Sequence, residues 1–380
     1  MKILMIAPEP FFEPRGTPFS EFYRIKALSE LGHKIDIITY PIGEDVEIKN
    51  LRIIRSFKVP FIKKVKIGPS LKKIILDMFL FPKAFYYAVF KRYDIIHTHE
   101  EGGYLGAFLN KFFKKPHLYD MHSSLPQQMT NFNFTKSKTI IKTLTILENF
   151  VLKNSDSIIT ICPELFNHVK SKFENSTIIL IENFLDEEYE PDKTKIKEIK
   201  NMFPDKKIAL YAGTLEHYQG IDLLVKASEL LKDDVKILVV GGDEEQIAKI
   251  KNNYKPDDSK IKFIKQVPKK EIINYIKAAD LLLSPRKEGT NTPLKIYSYL
   301  KSGKPIVATN ILSHTQILTD EISVLIPPTP EGIAEGINRG LSQEGIKAGE
   351  KGKKFAEENF SYEKYLSKVK QSISVFIGKK

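Results

Sequence analysis

Short apolar runs alternating with amphipathic stretches, in two successive blocks, constrain this chain more than any other feature. In the first block the runs at residues 2–7, 35–39, 95–98, 117–120 and 157–161 are separated by helical stretches such as 20–31 and 144–152. The second block repeats the scheme at 207–212, 236–240, 261–264, 281–284, 305–308 and 323–326, with helices such as 221–231 and 269–278. Strand–helix alternation of this kind builds a mainly parallel sheet covered by helices on both faces. With 380 residues the chain is too long for one ordinary core. The expectation is an α/β protein of two Rossmann-like, doubly wound domains facing across a cleft, 1–187 and 188–361. The segment 182–197, with Pro191 and many charges, reads as an exposed connector, and a last helix follows the second sheet over 362–377.

With 42% hydrophobic and 28% charged residues, the composition is that of a soluble globular protein. One cysteine, Cys162, excludes an intrachain disulfide and any cysteine-rich metal site, and a reducing cytoplasm is the expected compartment. Cys162 follows an apolar run and reads as a packing residue. The apolar run at 2–7 is too short for a secretory signal, and the nearest approach to a membrane span, 71–90, is interrupted by Lys72, Lys73, Asp77, Pro82 and Lys83. Net charge is +12, and the excess is uneven: residues 55–92 hold ten Lys/Arg against one acid, Asp77. There Phe57, Phe61, Ile62, Val65, Ile67, Leu71, Ile74, Ile75, Met78 and Phe79 interleave with Lys58, Lys63, Lys64, Lys66, Lys72 and Lys73. That mix suits an anionic membrane surface; a helix with one buried side and a solvated lysine face would read the same way. No nucleic-acid-binding signature accompanies the charge, so nucleic acid is not an expected partner.

Ligands of open parallel sheets bind beyond the carboxyl ends of the strands, which points to the loops after Ala7, Thr98, Asp120, Ala212, Val240 and Ser284. The loop after Ser284 carries most. The apolar run ends at Ser284-Pro285, Gly289 sits in a polar loop, Thr292 suits an N-cap and Pro293 a first helical position. The amides and positive dipole end of such a helix favour an anion, and Arg286 and Lys295 would add full charges. An ordinary capped helix with both side chains in solvent is the alternative. In the first block, Gly16 with Thr17 and Pro18 makes a turn after the first run and opens a helix. His97 and His99 fall on one face of a strand, but no third ligand stands at a fixed spacing, so no metal is expected. Asp120, His122 and Ser123 hold the residue types of a hydrolase triad without a nucleophile elbow.

Read in order, Gly32-His33-Lys34-Ile35-Asp36, Ile96-His97-Thr98-His99, Asp120-Met121-His122, Tyr211-Ala212-Gly213-Thr214-Leu215, Gly220-Ile221-Asp222-Leu223-Leu224, Val239-Val240-Gly241-Gly242 and Gly303-Lys304-Pro305-Ile306-Val307-Ala308 resemble the landmarks of family-4-type retaining glycosyltransferases of the GT-B fold. The match is collinear over nearly the whole chain and ends at Asn359-Phe360-Ser361-Tyr362, from which the family's final helix (362–380 here) packs back on the first domain. The resemblance implies a nucleoside-diphosphate sugar held by the second domain, a sugar or lipid-linked acceptor held by the first, retention of anomeric configuration, and no required metal or other cofactor. It implies catalytic roles for His122, beside the donor sugar, and for Glu288. The donor-binding set it suggests is Gly16, Gly213, Thr214, Gln219, Arg286, Gly289, Thr290, Asn291, Thr292, Lys295 and Ser298.

Three positions depart from the family pattern. Thr214 and Gln219 stand where the family places Arg and Lys against the leaving diphosphate, and Ser298 stands where its ribose-binding glutamate belongs. Strict spacing puts Thr290, not Glu288, at the first glutamate. The stretch 290–297 looks like a distinct branch built around its own loop. The expected function is therefore transfer of a sugar to an acceptor hydroxyl, lipid-linked or a cell-surface glycan precursor, by a cytoplasmic protein on the inner face of the membrane. A sugar-nucleotide epimerase of the same fold and a noncatalytic nucleotide-sugar binder are the alternatives.

Overall fold

The computed structural model describes residues 1–13, 16–62, 64–65, 70–131, 137–173, 177–182 and 189–377. It divides into one unit of Met1–Phe184 with Tyr362–Lys380 and a second of Leu185–Ser361. The expected boundary at 187/188 and part of the connector lie outside the described residues, as do Lys63, Lys66 and Ile67 of the basic stretch.

The first unit is a seven-stranded sheet ordered β3-β2-β1-β4-β5-β6-β7, every neighbouring pair parallel. Its strands are β1 (Lys2–Ala7), β2 (Lys34–Thr39), β3 (Leu51–Arg55), β4 (Ile95–His99), β5 (His117–Met121), β6 (Ser157–Thr160) and β7 (Thr177–Leu180). β4, β5 and β6 are buried along their whole length, as expected of central parallel strands covered on both faces. The two edge strands, β3 and β7, escaped the sequence reading, β7 as an apolar run of only four residues, Thr177–Leu180. β3 alternates Arg52 and Arg55 with its apolar residues, and only Ile54 of it is buried, so it lacks the continuous apolar run of a central strand.

Helix α1 (Gly16–Glu30) follows β1 and begins at Gly16, one residue before the expected Thr17 cap, so Thr17 and Pro18 lie inside its first turn. Helix α2 (Leu71–Phe90) lays Leu76, Leu80, Ala84 and Ala88 against the core that holds Leu4, Ile6, Ile38 and Ile96. The C-terminal helix Tyr362–Ser374 belongs to this unit. Its Tyr362 hydroxyl donates to Glu30 (2.7 Å), Lys368 pairs with Glu182 (2.5 Å), and Val369 and Ile373 are buried. Cys162 is buried at the start of a helix, and burial pushes its thiol up to about 11, as fits a packing residue.

The second unit is a six-stranded parallel sheet ordered β10-β9-β8-β11-β12-β13, with β8 (Lys207–Ala212), β9 (Val235–Val240), β10 (Ile261–Ile264), β11 (Leu281–Ser284), β12 (Ile306–Thr309) and β13 (Val324–Ile326). The chain winds outward from β8 to β10, then returns to lay β11 on the other side of β8. That reversal makes β8/β11 a topological switch point, and the loops leaving these two strands start side by side.

One local expectation is corrected here. The helix after β11 spans Lys295–Ser302, with Leu294 at its N-cap and no side-chain cap bond, so neither Thr292 nor Pro293 takes its expected place. The first turn instead closes tightly, Ile296 N–H donating to Pro293 O at 3.0 Å and Tyr297 N–H to Leu294 O at 3.3 Å.

Candidate functional site

Two loops meet at the switch point of the second unit. The loop after β8 contains Gly213, Thr214 and Gln219 and ends at Gly220; the loop after β11 runs from Pro285 into the Lys295 helix. They are bound to each other at several points. Lys287 N–H donates to Tyr218 O (2.8 Å), the Lys287 ammonium pairs with Asp222 (3.0 Å), and the Arg286 guanidinium lies 5.1 Å from the centre of the Tyr218 ring. At Gly220 (φ 74°) a Cβ would sit 2.0 Å from Pro285 O, so only glycine lets the loops approach. Gly241, after β9, backs Gly213 in the same way: its Cβ would fall 1.7 Å from Gly213 O.

Arg286 turns inward. Its Nε donates to Glu288 O (2.6 Å) and its Nη1 to Asn291 O (2.9 Å), so the guanidinium braces its own loop around Gly289. Gln316 ties Thr290 from the other side through the Thr290 carbonyl, and the Thr309 hydroxyl donates to Arg286 O. Lys295 turns inward as well, against the solvent-facing alternative. Part of its stem reaches the surface, but its ammonium nitrogen is enclosed, accepted by no hydrogen-bond partner, and held 3.8 Å from the centre of the buried Tyr211 ring. A Cβ on Gly213 would lie 2.8 Å from that nitrogen. Burial, and then the nearby Arg286 cation, hold the Lys295 pKa well below its ordinary value.

On the same two loops, Thr292 Oγ1 and Gln219 Oε1 are further buried polar atoms without a hydrogen-bond partner. Thr214 is exposed, with its carbonyl accepting the Tyr211 hydroxyl (2.6 Å); Glu288 is exposed, and Ser298 is half-buried on the Lys295 helix. A buried cation next to another cation is an arrangement whose cost an anionic group would relieve. The sequence left out Tyr211 and Tyr218, which position the two cations. Tyr211 ends an apolar strand and reads as core, and nothing local signals that its ring faces an ammonium.

The first unit gathers a different cluster at the ends of β4 and β5. Arg24 Nε donates to Asp120 Oδ2 (2.9 Å), with both side chains almost wholly buried. His122 Nε2 lies 3.3 Å from His99 Nδ1 and 3.4 Å from Asp120 Oδ1, and His99 Nδ1 is 3.4 Å from Glu21 Oε1. Burial lowers His122 to about 4, so it stands as neutral imidazole near neutral pH. Burial works to raise the Asp120 pKa, but Arg24 and the imidazoles hold it well below the carboxylate range. Burial raises Glu9 to about 7, and burial with the neighbouring Glu101 raises Glu100 to about 8. Gly16, at the start of α1, is exposed and joins neither cluster.

Asp120 is the third ligand type that spacing did not offer: His97, His99 and Asp120 present ligand atoms within 4.8 Å of one another. The Asp120 oxygen facing the imidazoles already accepts the Arg24 guanidinium, whose charge would repel a dication at that distance as strongly as a carboxylate attracts one. The set fits a charge-balanced buried network better than a metal centre.

Residues 23–189 match the family model described as Glycosyltransferase Family 4, and residues 192–360 the model for Glycosyl transferases group 1. The chain is a family-4-type glycosyltransferase. Two uncharacterized glycosyltransferases of Methanocaldococcus jannaschii are similar in sequence. MJ1069 is 26% identical over 71% of this chain and 70% of its own length, and MJ1607 is 22% identical over 83% and 82%. Among solved structures, this glycosyltransferase is similar to sucrose-phosphate synthase from Thermosynechococcus elongatus (TM-score 0.77, 20% identity, 97% of each chain). It is also similar to Anabaena HepE in complex with UDP-glucose (0.75, 16%, 98% and 99%) and to WaaG, a glycosyltransferase involved in lipopolysaccharide biosynthesis (0.71, 14%, 98% and 100%). These likenesses, with the two parallel-sheet units, establish the GT-B fold.

Proposed function

We propose that the chain moves a sugar, with retention of anomeric configuration, from a nucleoside-diphosphate sugar to an acceptor hydroxyl, and that the donor diphosphate sits on the Lys295 ammonium. The observation that carries this reading is the state of Lys295: enclosed, without an acceptor, and next to Arg286 at the switch point of the donor-type unit. An isolated buried ammonium is costly, and a phosphate oxygen would relieve that cost while gaining a charge-assisted hydrogen bond. Negative charge grows on the diphosphate as the glycosidic bond breaks, and a preorganised cation stabilises that growth most where water is scarce. Lys295 thus does from the β11 loop what Thr214 and Gln219, both uncharged, cannot do from the β8 loop.

In this proposal the Thr292 hydroxyl and the amides of Gly289 to Thr292 complete the phosphate cradle, Ser298 meets the ribose, and Glu288 and neutral His122 meet hydroxyls of the donor sugar. The departing phosphate takes the acceptor proton on the same face of the sugar. The acceptor, a sugar or lipid-linked glycan precursor, belongs to the first unit. No resident cofactor enters the reaction. Because a structural neighbour is a complex with UDP-glucose, uridine donors head the panel to test.

Turnover of UDP-, GDP-, ADP- and dTDP-sugars by Lys295→Ala and Arg286→Ala tests the assignment. The expected loss in kcat/KM is on the order of 100-fold or more for Lys295→Ala, the scale of removing one preorganised donor to a transition-state anion. Unchanged kinetics in both variants would refute it. Consumption of donor with acceptor omitted, giving an isomerised sugar nucleotide, would move the reading to an epimerase.

A further inference from the structure

Helix α2 is apolar on two opposite sides, and only one of them is covered by the protein. Leu76, Leu80, Ala84 and Ala88 recur every four residues and are buried. At 3.6 residues per turn, Leu71, Ile74, Ile75, Met78 and Phe79 fall on the other side of the helix, and all five are exposed, Leu71 at 79% and Met78 at 68%. The loop before α2 extends the same surface. Phe57 is 64% exposed and packs edge-on to Phe79 (6.5 Å), and Phe61 is 97% exposed. Large apolar side chains massed in this way on a soluble fold mark a surface with a partner.

Charge selects the partner. Lys58, Lys64 and Lys72 are exposed in the same segment, while Lys73 is half-buried and acts on the inner acids Glu9 and Asp77. Asp77, the acid of this helix, faces inward and accepts the Tyr40 hydroxyl (2.6 Å), so the outer surface is cationic. A symmetric pairing of two copies through this face would set lysines against lysines. A nucleic acid would match the lysines and leave the exposed Phe61, Leu71 and Met78 without a place to go. An anionic lipid bilayer satisfies both: acyl chains take the apolar side chains and headgroups take the ammonium groups.

We infer that the outer face of α2, with Phe57 and Phe61, is a docking surface for an anionic membrane, entered by Phe61, Leu71, Ile74 and Met78 and gripped by Lys58, Lys64 and Lys72. Docking brings the first unit to a lipid surface, which gives the proposed lipid-linked acceptor a physical basis. The surface itself stands on its own observations, independent of the transfer reaction.

Flotation of the full chain with phosphatidylcholine vesicles, with and without phosphatidylglycerol, tests this without any nucleotide present. The wild-type chain is expected to float with the anionic vesicles at low salt and to be released by high salt. Replacing Lys58, Lys64 and Lys72 by Gln weakens partitioning roughly 100-fold, at about fivefold per lysine. Replacing the exposed Phe61, Leu71, Ile74 and Met78 by Ser abolishes flotation with an unchanged circular dichroism spectrum, because none of the four is part of the core. Equal recovery of wild type with neutral and anionic vesicles overturns the inference. So does a stable wild-type dimer in sedimentation equilibrium that the serine variant turns into a monomer, since the face would then belong to a second copy. Full turnover on a soluble acceptor by the serine variant separates this inference from the transfer reading, which would survive its failure.

Discussion

Lys295→Met should make the free protein more stable and its nucleotide complex less stable, a crossover that an ordinary surface or core lysine cannot produce. Met keeps most of the apolar stem and removes the enclosed ammonium. Leaving a buried charged group without a hydrogen-bond partner costs about 1–3 kcal/mol or more, and the Tyr211 ring at 3.8 Å returns up to about 2 kcal/mol of that as a cation–π contact. The net gain on removal is then on the order of 1 kcal/mol. That raises Tm by about 2–4 °C for a unit of this size. The pH dependence has a definite sign. The Lys295 pKa is lowered in the folded state, so between that lowered value and 10.5 the unfolded chain holds a proton that the folded chain has released, and wild-type stability rises with pH across that window. The Met variant loses this rise. With a nucleoside diphosphate at about 100 times its Kd, the wild type gains about 2.7 kcal/mol. Removing one partner of a buried charged hydrogen bond costs about 2–5 kcal/mol of binding, which erases most of that gain at the same concentration. Differential scanning fluorimetry of both proteins, with and without UDP, GDP, ADP and dTDP, reads all of this. A Met variant that melts lower than wild type when free and shows the full nucleotide shift would refute the reasoning.

Gly220→Ala should separate the two loops, because the new Cβ would stand 2.0 Å from a backbone carbonyl at φ 74°. A destabilisation of about 2–4 kcal/mol in urea unfolding and loss of the nucleotide-induced Tm shift are expected; a wild-type melting curve contradicts this. In the first unit, Glu9 and Glu100 have raised pKa values near 7 and 8, so from about pH 4.5 to 8 the folded chain holds protons that the unfolded chain has lost, and stability falls as pH rises. Glu9→Gln and Glu100→Gln should flatten that fall in a Tm-versus-pH series, and an unchanged slope would count against buried, protonated carboxyls. Arg24→Leu leaves the Asp120 carboxylate buried without its counter-ion and should cost about 3–5 kcal/mol, measured by urea unfolding, with Arg24→Leu/Asp120→Asn recovering part of it. No recovery in the double variant would mean that the pair is not coupled.

The central strands and the loops that leave them were legible because buried parallel strands are continuous apolar runs, and the switch point follows from strand order. β3 was not, since its outer face meets solvent and takes Arg52 and Arg55, which mask the pattern; β7, Thr-Ile-Ile-Leu, carried an apolar signal too short to stand out. The loop after Ser284 stood out in the sequence through Gly289, Arg286 and Lys295, but its local geometry was not legible: the cap lies at Leu294, and Arg286 is occupied by its own loop's carbonyls. Nothing in a sequence distinguishes a lysine that snorkels outward from one that folds under an aromatic ring. The Arg24–Asp120 pair joins residues 96 positions apart, and the third ligand type beside His97 and His99 comes from a neighbouring strand, so neither carries any local signature. In the basic, aromatic stretch at 55–92, α2 buries one apolar side on the sheet, as a helix with a solvated lysine face would, and exposes another that such a reading does not account for.

The central claim is that the donor's diphosphate rests on Lys295. A crystal structure of the protein soaked with a nucleoside-diphosphate sugar that stabilises it tests this most directly. A phosphate oxygen within hydrogen-bonding distance of Lys295 Nζ, between the Gly213 and Gly289 loops, is the predicted result. A bound sugar nucleotide whose phosphates lie away from Lys295, leaving its ammonium as enclosed and unligated as before, would contradict it.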